Sequence, residues 1–458
     1  MQSKALKLQL IVQGEEQQVL DGQSKICNWL YNHLLDKANQ LREQYRETQN
    51  KEALIVYTKR GLRNQVPQLK QQNQFLKSVH SSPLKNVALR LSSSIQACQK
   101  GKKKQRPDSP NWPGFRSWKK SWFSLLYDEP TKGFKVNGNL LRLSLGVDKE
   151  GKRLSLSLVI KDSHLLKNRD IRNLRIIKEN GLYFAVFTVR IKLPDKKPVK
   201  RIIALDPNHK NMAYGVDTEG NGIEIARPGF IKSYDRRIDE LKAKRDRCSK
   251  SSKQINGRDI PSNRYQKYDR TLGKALRKRR EQTKTFCYTL SNSLCASYDY
   301  IAIGNYTPHG GGINRKMRRA MNNRSLIGRF KEILKWTAEK SGKSYLEFDE
   351  KGTTRTCHHC GYIVEGGLSP SVREWDCPGC KIHHLRDENA AHNGLEKTIA
   401  EIKKSKTSVL QVPGSGLAFV KKQWAWCVFP SGIQEIPRGK DCNTIASSKK
   451  LNQKRGSF

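Results

Sequence analysis

The stretch that decides the fold runs from residue 357 to residue 393: CHHCGYIVEGGLSPSVREWDCPGCKIHHLRDENAAHN. It opens on Cys357-His-His-Cys360 and reaches Cys377-Pro-Gly-Cys380 after 16 intervening residues. Each CxxC pair turns two sulfurs to one side of a tight knuckle, and the loop between lets the knuckles converge on one ion. Four thiolates fill a tetrahedral zinc and leave no open position. The pattern therefore predicts one structural Zn2+ held by Cys357, Cys360, Cys377 and Cys380. A redox CxxC would not require the second pair. His358 and His359, inside the first knuckle, are the rival ligands.

Just past the second knuckle comes Leu385-Arg-Asp-Glu-Asn-Ala-Ala-His-Asn393. Its small pair, Ala390-Ala391, suits a helix packed closely on a sheet, with Asp387 near the helix N-terminus. Far upstream, ALDPNHKNMAYGVD (204–217) places Asp206 at the end of an apolar strand beginning at Ile202. A carboxylate at the end of a buried strand is costly unless it meets a metal or a partner. Two-metal phosphodiester cleavage needs three or four acidic ligands around ions about 3.5–4 Å apart. Mg2+ prefers oxygen ligands and retains waters. Asp206 and Asp387 supply two acids, and a third is required.

Charge points the same way. Among 458 residues, 88 are Lys or Arg and 42 are Asp or Glu, a formal net charge of +46. The excess is spread along almost the whole chain, so a polyanion is the expected partner. So large an excess suits a bound RNA together with a DNA target better than one short DNA site. No segment approaches the roughly 18 consecutive apolar residues of a membrane span. The N-terminus, MQSKALKLQLIVQGEE, lacks the apolar core and cleavage site of a signal peptide. Without secretion, Cys27, Cys98, Cys248, Cys287, Cys295, Cys427 and Cys442 are expected to be thiols rather than disulfides.

Length predicts several domains. Residues 5–12 alternate as a strand. One helical face then carries Ile26, Trp29, Leu30, His33 and Leu34, with His33 a face residue rather than a ligand. A second carries Leu84, Val87, Leu91, Ile95 and Cys98. A breaker at 100–114 leads into hairpins around Asn137-Gly138 and Asn180-Gly181, which read as a small antiparallel barrel that could include the first strand. Arg116, Trp118, Lys119, Lys120, Trp122, Phe123 and Tyr127 mix cations with aromatics, as suits phosphates and stacked bases; Trp122, Phe123 and Leu125 equally suit a core. After a linker at 192–200, three strands, two basic helices near 231–252 and 263–297, the strand Tyr300–Ile303, a helix around Leu326–Thr337 and the strand Tyr345–Phe348 fit an RNase H-like α/β core. The basic helices, with Arg277–Arg280 on the second, are expected to contact nucleic acid.

ALDPNHKN, the four-cysteine module and LRDENAAHN, in that order, resemble the RuvC core of the TnpB nucleases, transposon-encoded ancestors of type V CRISPR effectors, with eukaryotic relatives called Fanzor. The resemblance covers about residues 200–395 by motif and extends to the N-terminal half by layout. It implies an α+β multidomain protein: an RNase H-like (RuvC) α/β nuclease domain with a four-cysteine zinc module, plus a β-barrel wedge domain carrying a helical recognition insert. The implied boundaries are 1–14 for the first wedge strand, 15–110 for the insert and 111–198 for the wedge barrel. The nuclease core follows at 199–352 with a basic helical insertion at 231–297, then the zinc module at 353–382, the final RuvC segment at 383–404 and a C-terminal tail at 405–458. The tail's Lys- and Ser-rich end reads as flexible, and Trp424-Ala-Trp426-Cys427 would either pack on the core or stack on nucleic acid.

One position departs from the family. The usual catalytic Glu at the end of the middle strand is matched here by Gly304, in Tyr300-Ile-Ala-Ile-Gly304-Asn305. Some relatives carry their Glu on a strand just before the zinc module. Glu350, seven residues before Cys357, resembles that relocated position. The implied Mg2+ ligands are then Asp206, Glu350 and Asp387. Glu347 and Asp349 are the adjacent alternatives, on the opposite face by strand alternation. The resemblance implies an RNA-guided DNA endonuclease with two catalytic Mg2+, one structural Zn2+ and a guide RNA, acting as a monomer on double-stranded DNA beside a short motif. It implies cytoplasm or nucleoid in a prokaryote and nucleus in a eukaryote or virus. The rivals are a nuclease-dead RNA-guided repressor, motivated by Gly304, and an RNA-independent DNA-binding transposition accessory factor.

Overall fold

The computed structural model describes residues 2–103, 110–119, 121–196, 198–208, 211–248, 253–255, 258–305, 326–369, 371–404, 422–429 and 432–437. Lys120, His209, Lys210, most of the tail and its Lys- and Ser-rich end lie outside them. The chain divides into two compact units, Met1–Lys192 and Leu193–Phe458.

The first unit is an antiparallel sheet with a helical block inserted after its first strand. β1 (Gln2–Ile11) leads into α1 (Gly14–Thr48), then short α2 (Gly61–Asn64) and α3 (Val66–Gln72), then α4 (Ser81–Lys103). The sheet resumes with β2 (Leu125–Tyr127), β3 (Phe134–Asn137), β4 (Leu140–Val147), β5 (Arg153–Ile160), β6 (Ile171–Glu179) and β7 (Leu182–Ile191). Its order is β2-β6-β7-β1-β5-β4-β3, so β1 sits centrally between β7 and β5. Among the described residues no ladder joins β2 to β3, so the strands run as an open series rather than as a ring.

One core serves sheet and helices. Leu84, Val87, Leu91, Ile95 and Cys98 are buried along α4, as their spacing predicts. On α1 the buried stripe instead runs through Leu20, Cys27, Leu30, Leu34 and Ala38. That turns Trp29 to the rim, where its ring stacks on His33 at 5.0 Å. Phe123, Leu125 and Tyr127 are core, while Trp118 is 52% exposed. Asp21 ties the block to the sheet, accepting from Trp122 Nε1 at 2.8 Å, Tyr183 Oη at 2.7 Å and Lys178 Nζ at 2.8 Å.

The second unit is built on β8 (Ile202–Pro207), β9 (Ala213–Asp217) and β10 (Asn221–Ile225). The basic helices α5 (Phe230–Asp246) and α6 (Asn263–Ser297) follow, with a small strand pair, β11 (Lys253–Ile255) and β12 (Arg258–Ile260), between them. Then come β13 (Tyr300–Gly304), α7 (Ile327–Lys340), β14 (Ser344–Phe348), the short β15 (Glu374–Asp376) and β16 (His383–Leu385), and α8 (Arg386–Lys404). The main sheet has the order β14-β13-β8-β9-β10-β17-β18. All six residues of β8 are buried, which an apolar central strand covered on both faces requires.

Two features depart from the sequence reading. Part of the tail is ordered structure: β17 (Lys422–Phe429) adds to β10 in parallel and β18 (Gly432–Pro437) pairs back on it. Trp426, 4% exposed, joins the core formed with α6 and α7, and Trp424 packs against that core. Packing therefore claims the Trp424–Cys427 segment. Second, Cys427 is disulfide-bonded, against the expectation that all seven lone cysteines are thiols; Cys442 lies outside the described residues. Cys27, Cys98, Cys248, Cys287 and Cys295 are free. Among the described residues no helix is long and apolar enough to cross a membrane.

Trp426→Ala should cost about 3–5 kcal/mol of second-unit stability, the usual range for emptying a buried Trp site. Urea unfolding followed by far-ultraviolet circular dichroism checks this, with Trp424→Ala expected to cost clearly less.

Candidate active site and metal centre

The C-terminal end of β8 carries Asp206, 7% exposed. Its neighbours are fixed by register. β13 runs parallel with Ile303 beside Leu205, so Gly304 follows beside Asp206. On the other side, antiparallel β9 sets Tyr214 opposite Asp206. β14 continues the parallel set, with Gly304 beside Phe348.

Glu350 lies two residues past the end of β14. Asn305 N donates to Phe348 O at 2.9 Å and Glu350 N donates to Asn305 Oδ1 at 3.3 Å, which folds this turn over the end of β13. The Glu350 side chain then occupies the space in front of Gly304. A Cβ at position 304 would lie 2.6 Å from both Cγ and Cδ of Glu350 and closer still to Oε1. Position 304 and Glu350 thus compete for one volume.

Asp387 stands in the first turn of α8, where the helix dipole favours a negative charge. Asn208 Nδ2 donates to its Oδ2 at 3.3 Å, and Arg373 Nη1 lies 3.4 Å from its Oδ1. α8 can lie close to the sheet because its inward face is small: Ala390 and Ala391 are fully buried, and a Cβ at Gly394 would press within 2.8 Å of the Phe348 ring.

Three negative charges therefore converge. Burial raises the Asp206 carboxyl well above the usual carboxylate range, the charges of Glu350 and Asp387 raise it further, and Arg386 opposes them. The two alternative acids are engaged elsewhere. Glu347 is 40% exposed at its side chain, pairs with Lys331 and accepts from Tyr345 Oη at 2.9 Å. Burial pushes its carboxyl up, but those two donors outweigh it and hold it below its ordinary value. Asp349 is exposed and its Oδ1 accepts from Lys351 N at 3.1 Å.

The four cysteine sulfurs all lie within 4.8 Å of one another, with Cys357–Cys380 at 3.8 Å and Cys360–Cys377 at 3.5 Å. A tetrahedron with Zn–S bonds of about 2.3 Å has edges of about 3.8 Å, so the donor set fits zinc. Burial pushes the Cys377 thiol up, but the amides of Cys380 and Gly379 and the neighbouring thiols draw it down to about 7, which favours the thiolate a metal needs. His358 turns from the sulfurs and stacks on His392 at 4.3 Å. His359 is not among the residues whose ligand atoms converge there.

Several functional neighbours carried too weak a signal to be singled out. His384, in the short β16, places Nε2 3.1 Å from Cys357 Sγ. Tyr214 Oη donates to Glu388 Oε2 at 3.2 Å, bringing another acid to the Asp206 face. Asn389 and Asn393 each donate to Thr353 O and Thr356 O at 2.7–3.1 Å, and Asn389 Oδ1 accepts from His358 N at 3.0 Å. These amides bind the segment between Glu350 and Cys357 directly to the helix that carries Asp387.

Comparison with known proteins finds relatives of this arrangement. Residues 328–393 match the family described as Cas12f1-like, TNB domain. That span runs from α7 through the cysteine module to the asparagines of α8. The chain is similar to TnpB-like proteins. Over 143 residues it is 29% identical to a TnpB-like protein of Acanthamoeba polyphaga mimivirus, covering 30% of this chain and 27% of that one. Over 212 residues it is 24% identical to a Mycobacterium tuberculosis protein named as a candidate RNA-guided DNA endonuclease, covering 44% and 42%. The chain thus spans less than half the length of these curated relatives. The fold is like that of the Cas12f1 chain solved by cryo-electron microscopy with single guide RNA and target DNA, with a TM-score of 0.56, 13% identity and 81% of each chain covered.

Two outcomes follow for this site. Cys377→Ser should lose zinc and loosen the 353–358 segment, because metal-binding energy here is local folding energy; elemental analysis should find about one zinc in wild type and a large loss in the variant. Asp206→Asn should raise the melting temperature of the metal-free protein at pH 8 by about 2–8 °C, as a gain of 1–2 kcal/mol would in a unit of this size. The sign follows from the raised folded pKa: the fold binds its proton more readily than the unfolded chain, whose value is about 3.9. Ionised Asp206 therefore costs stability as pH rises, and the variant's advantage should shrink towards pH 4. Differential scanning fluorimetry across pH checks it.

Proposed function

We propose that this protein is an RNA-guided DNA endonuclease whose catalytic carboxylates are Asp206, Glu350 and Asp387, with the usual middle-strand glutamate replaced by Glu350. The observation that carries the proposal is the complementarity at Gly304. The residue that lacks a side chain is the one whose side-chain volume Glu350 fills, beside a buried Asp206 whose carboxyl feels both Glu350 and Asp387. A carboxylate raised first by burial and further by two neighbouring carboxylates suits hard cations with oxygen ligands. Two bound Mg2+ would supply an activated water and charge stabilisation at the leaving oxygen.

On this reading the second unit is an RuvC-type nuclease and the first a wedge with its helical recognition insert. Asp206 is fixed by its strand and Asp387 by Asn208, Arg373 and the helix terminus. Glu350 is set by the 350–357 segment that Asn389 and Asn393 tie down. The zinc module acts as a strap on that segment rather than as a reacting centre. A guide RNA and a DNA target account for a chain of charge +46, and the names of the M. tuberculosis relative and the Cas12f1 complex point to the same partners. The nuclease-dead reading rested on the missing side chain at position 304, and the seating of Glu350 in that space speaks for the active reading instead.

Glu350→Ala should lower Mg2+-dependent cleavage of a guide-matched plasmid by at least about 100-fold, since even outer-shell partners of metal sites cost 10–100-fold. Guide and DNA binding should remain nearly intact. Glu350→Gln should fail alike, while Glu347→Ala and Asp349→Ala retain activity. Gly304→Ala, by displacing Glu350, should also lose cleavage. A wild type that binds guided target but never cuts it would leave the repressor reading standing.

A further inference from the structure

The helix that carries Asp387 also takes hold of the turn that carries Glu350, through a lysine outside the three carboxylates. Lys397 is an exposed residue of α8. Its Nζ donates to Asp349 O at 2.9 Å and to Lys351 O at 2.7 Å. Those are the carbonyls on either side of Glu350. An ammonium carries three donors and no acceptor, so one lysine can hold both at once.

Asn389, Asn393 and Lys397 stand at i, i+4 and i+8, a single stripe along the helix. The stripe meets the chain in reverse order. Asn389 holds His358 N, both asparagines hold the carbonyls of Thr353 and Thr356, and Lys397 holds those of Asp349 and Lys351. The asparagines stop at Thr353, so it is Lys397 that carries the helix's grip on to Glu350. Asp349 O belongs to the peptide plane entering Glu350. Glu350 O belongs to the plane leaving it, and accepts from Thr353 N at 3.1 Å and Thr353 Oγ1 at 2.9 Å. With both planes held, the two soft dihedrals of Glu350 are set, and so is the direction of its side chain towards the space in front of Gly304.

We propose that Lys397 is the positioning residue for Glu350, aiming that carboxylate at the divalent cations by clamping the backbone on both sides of it. Metal ligands must be held within about 0.5 Å of their working geometry by groups outside the first shell, and a glutamate on a turn needs such support more than an aspartate on a strand. The proposal rests on the reading of Glu350 as a metal ligand, and names the residue by which one helix places both Asp387 and Glu350. The clamp and the lysine's charge act in opposite directions on metal binding. Removing a cation near a carboxylate site favours a divalent ion by charge alone, whereas releasing the turn disfavours it.

The test is calorimetric titration of Mn2+ into full-length, zinc-loaded protein, together with amide hydrogen exchange read by mass spectrometry. Lys397→Met keeps the aliphatic stem and removes the donors. It should weaken Mn2+ binding about 10-fold or more, the lower range for losing an outer-shell partner, and speed exchange in the 350–356 segment, while zinc content and melting temperature stay at wild-type values. Lys397→Arg, which can still donate to two carbonyls, should recover most of the loss. Lys403→Met removes the same charge from the same helix and should bind Mn2+ as wild type does. Because Lys397 acts through Glu350, the Lys397→Met/Glu350→Gln double variant should be no weaker than Glu350→Gln alone. Should Lys397→Met fold poorly, Lys397→Gln, too short to span both carbonyls, takes its place with the same expected loss. Mn2+ binding in Lys397→Met that equals or exceeds wild type, beside an impaired Glu350→Gln, would overturn the clamp and leave the carboxylate reading standing. A double variant clearly weaker than Glu350→Gln would also overturn it. Wild-type Mn2+ binding in Glu350→Gln would instead sink the carboxylate reading, and the clamp's role with it.

Discussion

The burial of Asp206 beside two other carboxylates is the constraint on which the second unit depends. Asp206 ends a strand buried on both faces, and the charges of Glu350 and Asp387 act on it as well as its own burial. Each influence makes the ionised form harder to keep, by the ordinary physics of desolvation and like charges. A fold selected only for stability would place an apolar residue there. On the function proposed above, that local cost is retained because bound cations would recover it.

Holding such charges together needs a frame stiffer than their repulsion, and the frame is assembled from groups with no chemistry of their own. The α8 face of Ala390, Ala391 and Gly394 lets Asp387 approach the sheet. Asn389 and Asn393 fasten two carbonyls of the segment after Glu350 to that helix. The cysteine knuckles fix the segment's far end, and His358 lies flat on His392. Burial together with the neighbouring imidazoles holds His358 down to about 3 and His392 down to about 4, so both rings are neutral near pH 7 and stack without repulsion. Cysteine module and carboxylate site are in this sense one mechanical unit, linked through the eight residues from Glu350 to Cys357.

Much of this was legible in the sequence because the signals were local. Two CxxC pairs, an acid closing an apolar strand and a small-residue helix behind Asp387 each carry their reading within a few residues. Glu350 was harder: spacing alone left Glu347 and Asp349 open, and it took the packing at Gly304 to show which side chain fills the vacated volume. The long-range pieces left little trace. Tyr214 meets Glu388 across 174 residues and Asn208 meets Asp387 across 179, and no periodicity marks such pairs. His384 read as one of several histidines because its contact with Cys357 depends on a three-residue strand. The Trp29 face was misjudged by a small rotation, since α1 buries a stripe through Cys27 and Tyr31 that includes polar Gln23, Ser24 and Asn28. The strands at 422–437 were missed because a Lys- and Ser-rich neighbourhood masked a short apolar run whose partner, β10, lies some 200 residues earlier.

The account stands or falls on whether Glu350 helps to hold metal. Manganese titration followed by electron paramagnetic resonance reads this without guide, target or turnover. Wild type should bind about two Mn2+ per chain; Glu350→Gln should lose at least one of them or bind far more weakly, while Glu347→Gln matches wild type. Manganese binding in Glu350→Gln that equals wild type in number and affinity would contradict the central claim.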